Sequence, residues 1–189
     1  GGQLLCEEHV PSKQEMYSYA LQKAAALAEA GVRVRCNTLV TRQWAEEFHP
    51  DVLICAVGAE PIIPPLPGIG LPLVRFLQEL RGHSPRFGKR VVILGGGLVG
   101  CETAVHLVQQ GHEVTVVEMR DDFAADATLW HKQAIRTQLQ GKADLRLNTR
   151  AKAITEEGVV AECGGEELIL PADTVFCAVG LRPRHSVRE

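Results

Sequence analysis

Arg90-Val-Val-Ile-Leu-Gly-Gly-Gly-Leu-Val-Gly100 is the stretch on which the fold turns. An apolar run of strand length meets glycines at Gly95, Gly97 and Gly100, and apolar residues resume at helical spacing with Ala104, Leu107 and Val108. Strand, glycine turn and helix in that order predict the opening of a βαβ unit. In it Gly95 takes the tight turn, Gly97 leaves backbone amides open to a pyrophosphate, and Gly100 lets the helix pack closely on the strand. Gly96, Leu98 and Val99 complete the turn, whose helix end faces phosphate charge. Gly111 supplies a left-handed stop to the helix over Leu98 to Gln110, and Glu113 to Glu118 follows as the next strand. Glu118 ends that strand, where an acid accepts hydrogen bonds from both hydroxyls of an adenosine ribose. This favours NADH, with NADPH possible because Arg120, beyond Met119, can offset a 2′-phosphate. A glycine turn without ligand and a solvated strand end remain the alternatives. Glu102 at the helix start either rests in the field of the positive helix end or stands near a nicotinamide.

Outward from this unit, the string Asp-x-x-x-Cys-Ala-Val-Gly-x-x-Pro occurs at Asp51 to Pro61 and again at Asp173 to Pro183. An apolar strand cannot cover its own faces, so two similar strand ends predict two similar sheet units, the second inserted into the first. Ala56, Val57 and Gly58, like Ala178, Val179 and Gly180, would stand at the carboxyl edges of strands, where doubly wound sheets bind ligands. Two copies suggest two nucleotide sites, and a structural repeat without ligand contact is the alternative.

Before the first copy, Ser12-x-x-Glu15 reads as a capping box opening a helix from Lys13 to Ala30, which Gly31 stops. Val32 to Cys36 alternates as a strand, Thr41 can cap a short helix through Phe48, and Asp51 to Val57 reads as a strand. Five prolines from Pro61 to Pro72, with Gly68 and Gly70, predict an irregular crossing between domains to about Leu71. A short helix over Val74 to Arg81 and a polar stretch to Lys89 precede the glycine unit. Beyond Glu118 the pattern predicts a helix over Leu129 to Leu139 and a strand over Leu145 to Asn148. Short antiparallel strands follow over Ala151 to Thr155, Val159 to Cys163 and Glu167 to Leu170, and Asp173 to Val179 returns to the sheet. The expected fold class is α/β, with Rossmann-like doubly wound sheets and an antiparallel β insertion. The expected domains are a partial first domain over 1–66, a linker over 67–88, a dinucleotide domain over 89–175, and a return strand over 176–189.

The chain has 189 residues, of which 46% are hydrophobic and 5% aromatic, with a net charge of −3, the composition of an ordinary globular protein. Basic residues are scattered, and the group Arg86 to Arg90 reads as a solvated linker, so no nucleic-acid partner is expected. No apolar run reaches membrane-spanning length and Gly1-Gly2-Gln3 lacks signal-peptide character, so a cytoplasmic location without membrane contact is expected. The six cysteines, at 6, 36, 55, 101, 163 and 177, form no CxxC pair and read as reduced core residues without a redox dithiol. Cys6 and His9 have no second pair of ligands within reach, so no metal site is expected.

Gly-Gly-Gln-Leu at the start, Ala-Val-Gly-Ala-Glu-Pro, Val-Val-Ile-Leu-Gly-Gly-Gly-Leu-Val-Gly-Cys-Glu-Thr-Ala, and Ala-Asp-Thr-Val-Phe-Cys-Ala-Val-Gly-Leu-Arg-Pro together resemble the two-dinucleotide-binding-domain flavoproteins. The match is to the C-terminal part of the 2,4-dienoyl-CoA reductase and 2-enoate reductase family, which includes NADH:flavin oxidoreductases and NADH oxidases, and it covers nearly the whole chain. The resemblance implies an FAD/NAD(P)-binding domain fold, with an NAD(P) domain inserted into a truncated FAD domain. It implies that Gly95, Gly97, Leu98, Val99, Gly100, Glu118 and Gly180 contact NAD(P)H, with Gly96, Glu102, Met119, Arg120 and Val179 around them. It also implies that Gly2, Gln3 and Ala56 to Gly58 lie along FAD. In that family FMN and an iron-sulfur cluster belong to an N-terminal barrel, of which these residues contain nothing. The FAD domain's own glycine motif is likewise missing. The expected function is a portion of an NAD(P)H-dependent flavoprotein reductase that passes hydride to FAD and is not competent alone, the parent acting on enoyl or dienoyl-CoA substrates. An NADH oxidase or ferredoxin-reductase-like flavoprotein, or a nucleotide-binding module without chemistry, are the alternatives.

Overall fold

The computed structural model describes residues 2–8, 10, 13–80 and 86–184. The chain divides into two compact units, one of residues 1–60 with 181–189 and one of 61–180.

In the unit over 61–180 the expected βαβ opening is present: β3 (Arg90–Leu94), α3 (Leu98–Gln109) and β4 (Glu113–Val117). The remaining elements are β2 (Val74–Phe76), α4 (Leu129–Leu139), β5 (Ala143–Arg146), β6 (Thr149–Thr155), β7 (Gly158–Cys163), β8 (Glu166–Pro171) and β9 (Thr174–Cys177). Five strands form a parallel sheet in the order β2-β9-β3-β4-β5, and β6-β7-β8 form an antiparallel sheet. The run Val91 to Leu94 is apolar throughout because both faces of β3 are covered. Val91 and Ile93 pack with Leu107 of α3 and Ile135 and Leu139 of α4, whereas Val92 and Leu94 pack with Ile154, Val159, Ala161 and Leu170 of the antiparallel sheet. Gly111 adopts the left-handed conformation at φ 87° that the helix stop requires.

Several expectations change. Val74 to Arg81 is not a helix: Val74–Phe76 adds a parallel strand beside β9, and Leu77–Leu80 is a 3-10 turn. The sheet edge at β9 offered pairing that overrides helical periodicity in so short a segment. The strand expected at Leu145 to Asn148 is β5, two residues earlier, because Asn148 is left-handed at φ 50° and turns the chain into β6. Arg81 and residues 82–85 lie outside the described residues. Lys89 and Arg90 are solvated as expected, paired with Glu113 at 2.8 Å and Asp173 at 2.5 Å. The Arg90 side chain and the Arg90 and Lys89 backbone amides hold the Asp173 carboxyl down to about 2.

In the other unit, α1 (Gln14–Glu29) follows a 3-10 turn over Gly2–Glu7, and α2 (Arg42–Phe48) is capped by Thr41 accepting from the Trp44 amide at 3.2 Å. The capping box expected at the start of α1 rests on Ser12, which lies outside the described residues, as does His9. The strands expected over Val32 to Cys36 and Asp51 to Val57 are not formed. Both segments are exposed, with Val34 at 63% and Ile54 at 82%, and neither joins a sheet, so their backbones lack the pairing that makes a strand. Two short strands that periodicity does not predict, β1 (Ala59–Pro61) and β10 (Leu181–Pro183), pair with each other. They immediately follow the two Ala-Val-Gly copies. No described helix is long and apolar enough to cross a membrane.

The reading of all six cysteines as core residues holds for Cys6, Cys101 and Cys177, but Cys36, Cys55 and Cys163 are exposed. Cys36 and Cys55 sit in or beside the unpaired segments, and Cys163 ends β7 at a turn. Burial pushes the Cys101 thiol up to about 11 and raises that of Cys177. A thiol reagent at neutral pH is therefore expected to modify Cys36, Cys55 and Cys163 rapidly in the native chain and all six after denaturation without reductant. Rapid native reaction of Cys101, or fewer than six on denaturation, would contradict this assignment.

Candidate nucleotide site

The parallel register brings three strand ends level. Leu94 lies opposite both Val117 and Cys177, so Gly95, Glu118 and Ala178 leave the sheet together at its carboxyl edge. Beyond β3 the chain fills β4 and β5 on one side, while β9 and β2 lie on the other, and the crevice at such a reversal is where open α/β sheets bind ligands.

Three of the four glycines of the turn are each required by a different neighbour. Gly95 is left-handed at φ 102°, and a Cβ there would stand 2.5 Å from the Ala178 carbonyl oxygen. A Cβ on Gly96 would come within 2.8 Å of Glu118 Cβ. On Gly100 it would lie 2.0 Å from the Gly95 carbonyl oxygen, the close helix-on-strand contact expected from the motif. Gly97 differs: it has ordinary extended backbone, φ −68° and ψ −177°, and nothing nearer than Asp126 Oδ1 at 3.7 Å would meet its Cβ. The space over Gly97 is thus not needed for packing, and the exposed Asp126 carboxylate borders it. Leu98 and Val99 open α3, with Val99 exposed.

Glu118 is 8% exposed, and its carboxylate is held by backbone donors. Gly96 N donates to Oε2 at 2.7 Å and Arg120 N to Oε1 at 2.9 Å, with Arg120 Nε at 3.6 Å from Oε1. Two oxygens offer roughly four acceptor positions, so sites remain for hydroxyl donors. Met119 and Arg120 are exposed beside it. Glu102 pairs with His131 of α4, Oε1 to Nε2 3.3 Å. Val179 N would be 3.2 Å from a Cβ on Gly95, and Gly180, left-handed at φ 117°, follows it.

These residues of the 61–180 unit therefore converge on one sheet edge. Gly2, Gln3, Ala56, Val57 and Gly58 belong to the other unit and are all exposed. A cleft of about 200 Å³ in that unit is lined by Arg33, Arg35, Thr38, Val40, Trp44 and Phe48, none of which was expected in a site. Sequence reasoning missed Asp126, whose Oδ1 accepts from Leu98 N at 2.8 Å across a loop, and His131. No periodicity or spacing ties either residue to the glycine turn, because both contacts depend on how the connection from β4 to α4 folds back.

The chain and its fold match known proteins. The family of pyridine nucleotide-disulphide oxidoreductases matches residues 5–189, and the chain belongs to that family. It is 33% identical over 184 residues to a bilirubin reductase of Mediterraneibacter gnavus, covering 97% of this chain and 29% of that protein. It is 36% identical over 192 residues to an NADH oxidase of Thermoanaerobacter brockii, again covering 97% of this chain and 29% of the relative. A solved 2-naphthoyl-CoA reductase in complex with 2-naphthoyl-CoA superposes with a TM-score of 0.83 at 26% identity over 96% of this chain and 28% of that one. The chain thus spans less than a third of the length of these relatives.

Proposed function

We propose that this member of the pyridine nucleotide-disulphide oxidoreductases is the NADH-binding portion of a flavoprotein reductase. In this reading the 61–180 unit, whose sheet takes in the segment expected as a linker, carries NAD(P)H, and residues 1–60 form part of an FAD-binding domain. The observation that carries the reading is the uncrowded space over Gly97, bordered by the first turn of α3 and the exposed Asp126 carboxylate, with the Glu118 carboxylate on the neighbouring Gly96 amide. Backbone amides there would take the pyrophosphate with the help of the helix end, and Glu118 would take the ribose hydroxyls. Val179, Gly180 and Glu102 would border the nicotinamide half.

When bound, the nicotinamide supplies a hydride, two electrons and a proton in one transfer, to the flavin. In that step the residues of this chain at the sheet edge orient and bind the nucleotide. A parent acting on enoyl or dienoyl-CoA substrates is supported by the name of the solved acyl-CoA reductase and by the motifs at Gly95 to Ala104 and Ala172 to Pro183. The NADH oxidase among the relatives supports the reading in which the acceptor is different. FMN and an iron-sulfur cluster, if the whole protein uses them, belong to parts other than these residues.

The experiment is a paired titration of the chain with NADH and NADPH. NADH is expected to bind more tightly by about 1 to 3 kcal/mol, the cost of leaving charged groups badly paired when a phosphate meets Glu118. Arg120 is exposed, 3.6 Å from Glu118, and offsets only part of that repulsion. Equal affinities, or an NADPH preference that Arg120→Ala abolishes, would remove Glu118 as the selector.

A further inference from the structure

Asp126 occupies the place that the glycine turn keeps for a phosphate. Its Oδ1 accepts from the amide of Leu98, the first residue of α3, at 2.8 Å. Its Oδ1 and Oδ2 are also the atoms that a Cβ on Gly97 would meet, at 3.7 and 3.8 Å. One carboxylate thus takes both features a pyrophosphate needs here, a free amide at the helix start and the open space beside it.

The loop that brings it there is fixed by its backbone. Ala124 is fully buried, left-handed at φ 43°, and donates its amide to the Gly96 carbonyl at 2.6 Å. Ala127 N then donates to the Ala124 carbonyl at 3.0 Å, closing a turn, and Thr128 caps α4. A non-glycine residue in the left-handed region is unfavourable, so the packing around Ala124 holds that conformation. Asp126 itself is solvent-exposed at the end of this anchored turn, so its side chain can rotate away while the loop stays in place.

We propose that Asp126 is a built-in competing anion, which a dinucleotide must displace from the amino end of α3, and which lowers the affinity for phosphate-bearing ligands below what the glycine turn alone would give. The inference rests on the dinucleotide reading of the site. Anions are favoured near a helix amino end, so the carboxylate caps α3 when the site is free. A pyrophosphate arriving at the same amide meets a like charge until the Asp126 side chain leaves. Adenosine carries no phosphate and would not compete.

The test compares the wild-type chain with Asp126→Asn, Asp126→Ala and Asp126→Glu by titration calorimetry, using NADH, ADP-ribose and adenosine as probes. Asn keeps an acceptor for the Leu98 amide but drops the charge, and Ala frees the amide. Both are expected to bind NADH and ADP-ribose roughly three- to tenfold more tightly than wild type, with the gain shrinking as salt is raised. Glu should not show the gain, and adenosine binding should be unchanged in every variant. If Ala at 126 melts the helix start, as circular dichroism would show, the nearly isosteric Asn decides. Unchanged or weaker NADH binding by a folded Asp126→Asn, or an equal gain for adenosine, overturns the proposal while leaving the dinucleotide site intact. If neither wild type nor any variant binds NADH, the reading of the site fails and takes the proposal with it. Binding by Asp126→Asn where wild type shows none would support both.

Discussion

Gly97→Val is expected to leave the chain folded and to remove detectable NADH binding. The two halves of that result come from separate observations. Gly97 has a backbone conformation open to any residue, and its Cβ would meet nothing nearer than an exposed carboxylate oxygen at 3.7 Å. The change should therefore cost folding no more than about 1 kcal/mol, the scale of a surface substitution at a helix cap. The valine methyls would fill the space where a pyrophosphate must approach the α3 amides. Losing two charge-assisted hydrogen bonds, at about 1.5 to 3 kcal/mol each, is enough to take a micromolar ligand out of range. Gly100→Ala is the control with opposite character. Its Cβ would sit 2.0 Å from the Gly95 carbonyl oxygen, backbone that cannot yield without moving β3 away from α3, so it should lower the melting temperature whether or not NADH is present. Titration calorimetry on a Gly97→Val chain with a native melting curve decides: unchanged affinity would end the assignment of the glycine turn to a dinucleotide.

The contrast between Gly97 and Gly100 also marks how far the sequence reaches. The order of strand, turn, helix and acid over Arg90 to Glu118 is local, and each of its elements lies in the structure where periodicity and spacing put it, α4 included. A strand in isolation is not local. Val32 to Cys36 and Asp51 to Val57 have the residues of strands but no partner to pair with, whereas Val74 to Phe76, which reads as helical, finds the edge of β9. Pairing that depends on a distant segment leaves no mark in a window of a few residues. The same holds at the site. Gly95, Gly97, Gly100 and Glu118 stand out by spacing, but Asp126 reaches Leu98 only because Ala124 turns the loop back onto Gly96, a contact between residues that no motif links. The Ala-Val-Gly repeat was legible as a repeat. Its second copy joins the carboxyl edge of the parallel sheet beside Gly95 at Ala178 and Val179, and its first stands exposed in the other unit.

That first copy sets the other large expected effect: the purified chain should be colourless. Residues 1–66 contain Gly2, Gln3 and the segment Ala56 to Gly58, which the family likeness sets along FAD, but no Gly-x-Gly-x-x-Gly turn to anchor its pyrophosphate. The structure adds a second reason, since Asp51 to Gly58 is exposed and joins no sheet, so this segment offers no fixed wall against which an isoalloxazine or adenine could pack. A flavin site whose ligand must also order its own strands binds weakly, because the ordering cost is subtracted from the contacts made. Extending the chain upstream by one βαβ unit, roughly 30 residues or more, and downstream by the rest of an FAD domain should pair Val52 to Val57 into a sheet and restore a yellow spectrum that NADH bleaches. The measurement is the visible absorption of both chains after gel filtration, with the flavin counted against protein. Stoichiometric FAD in the short chain, or none in a folded extended one, would mean that the repeated Ala-Val-Gly strands do not mark one domain inserted into another.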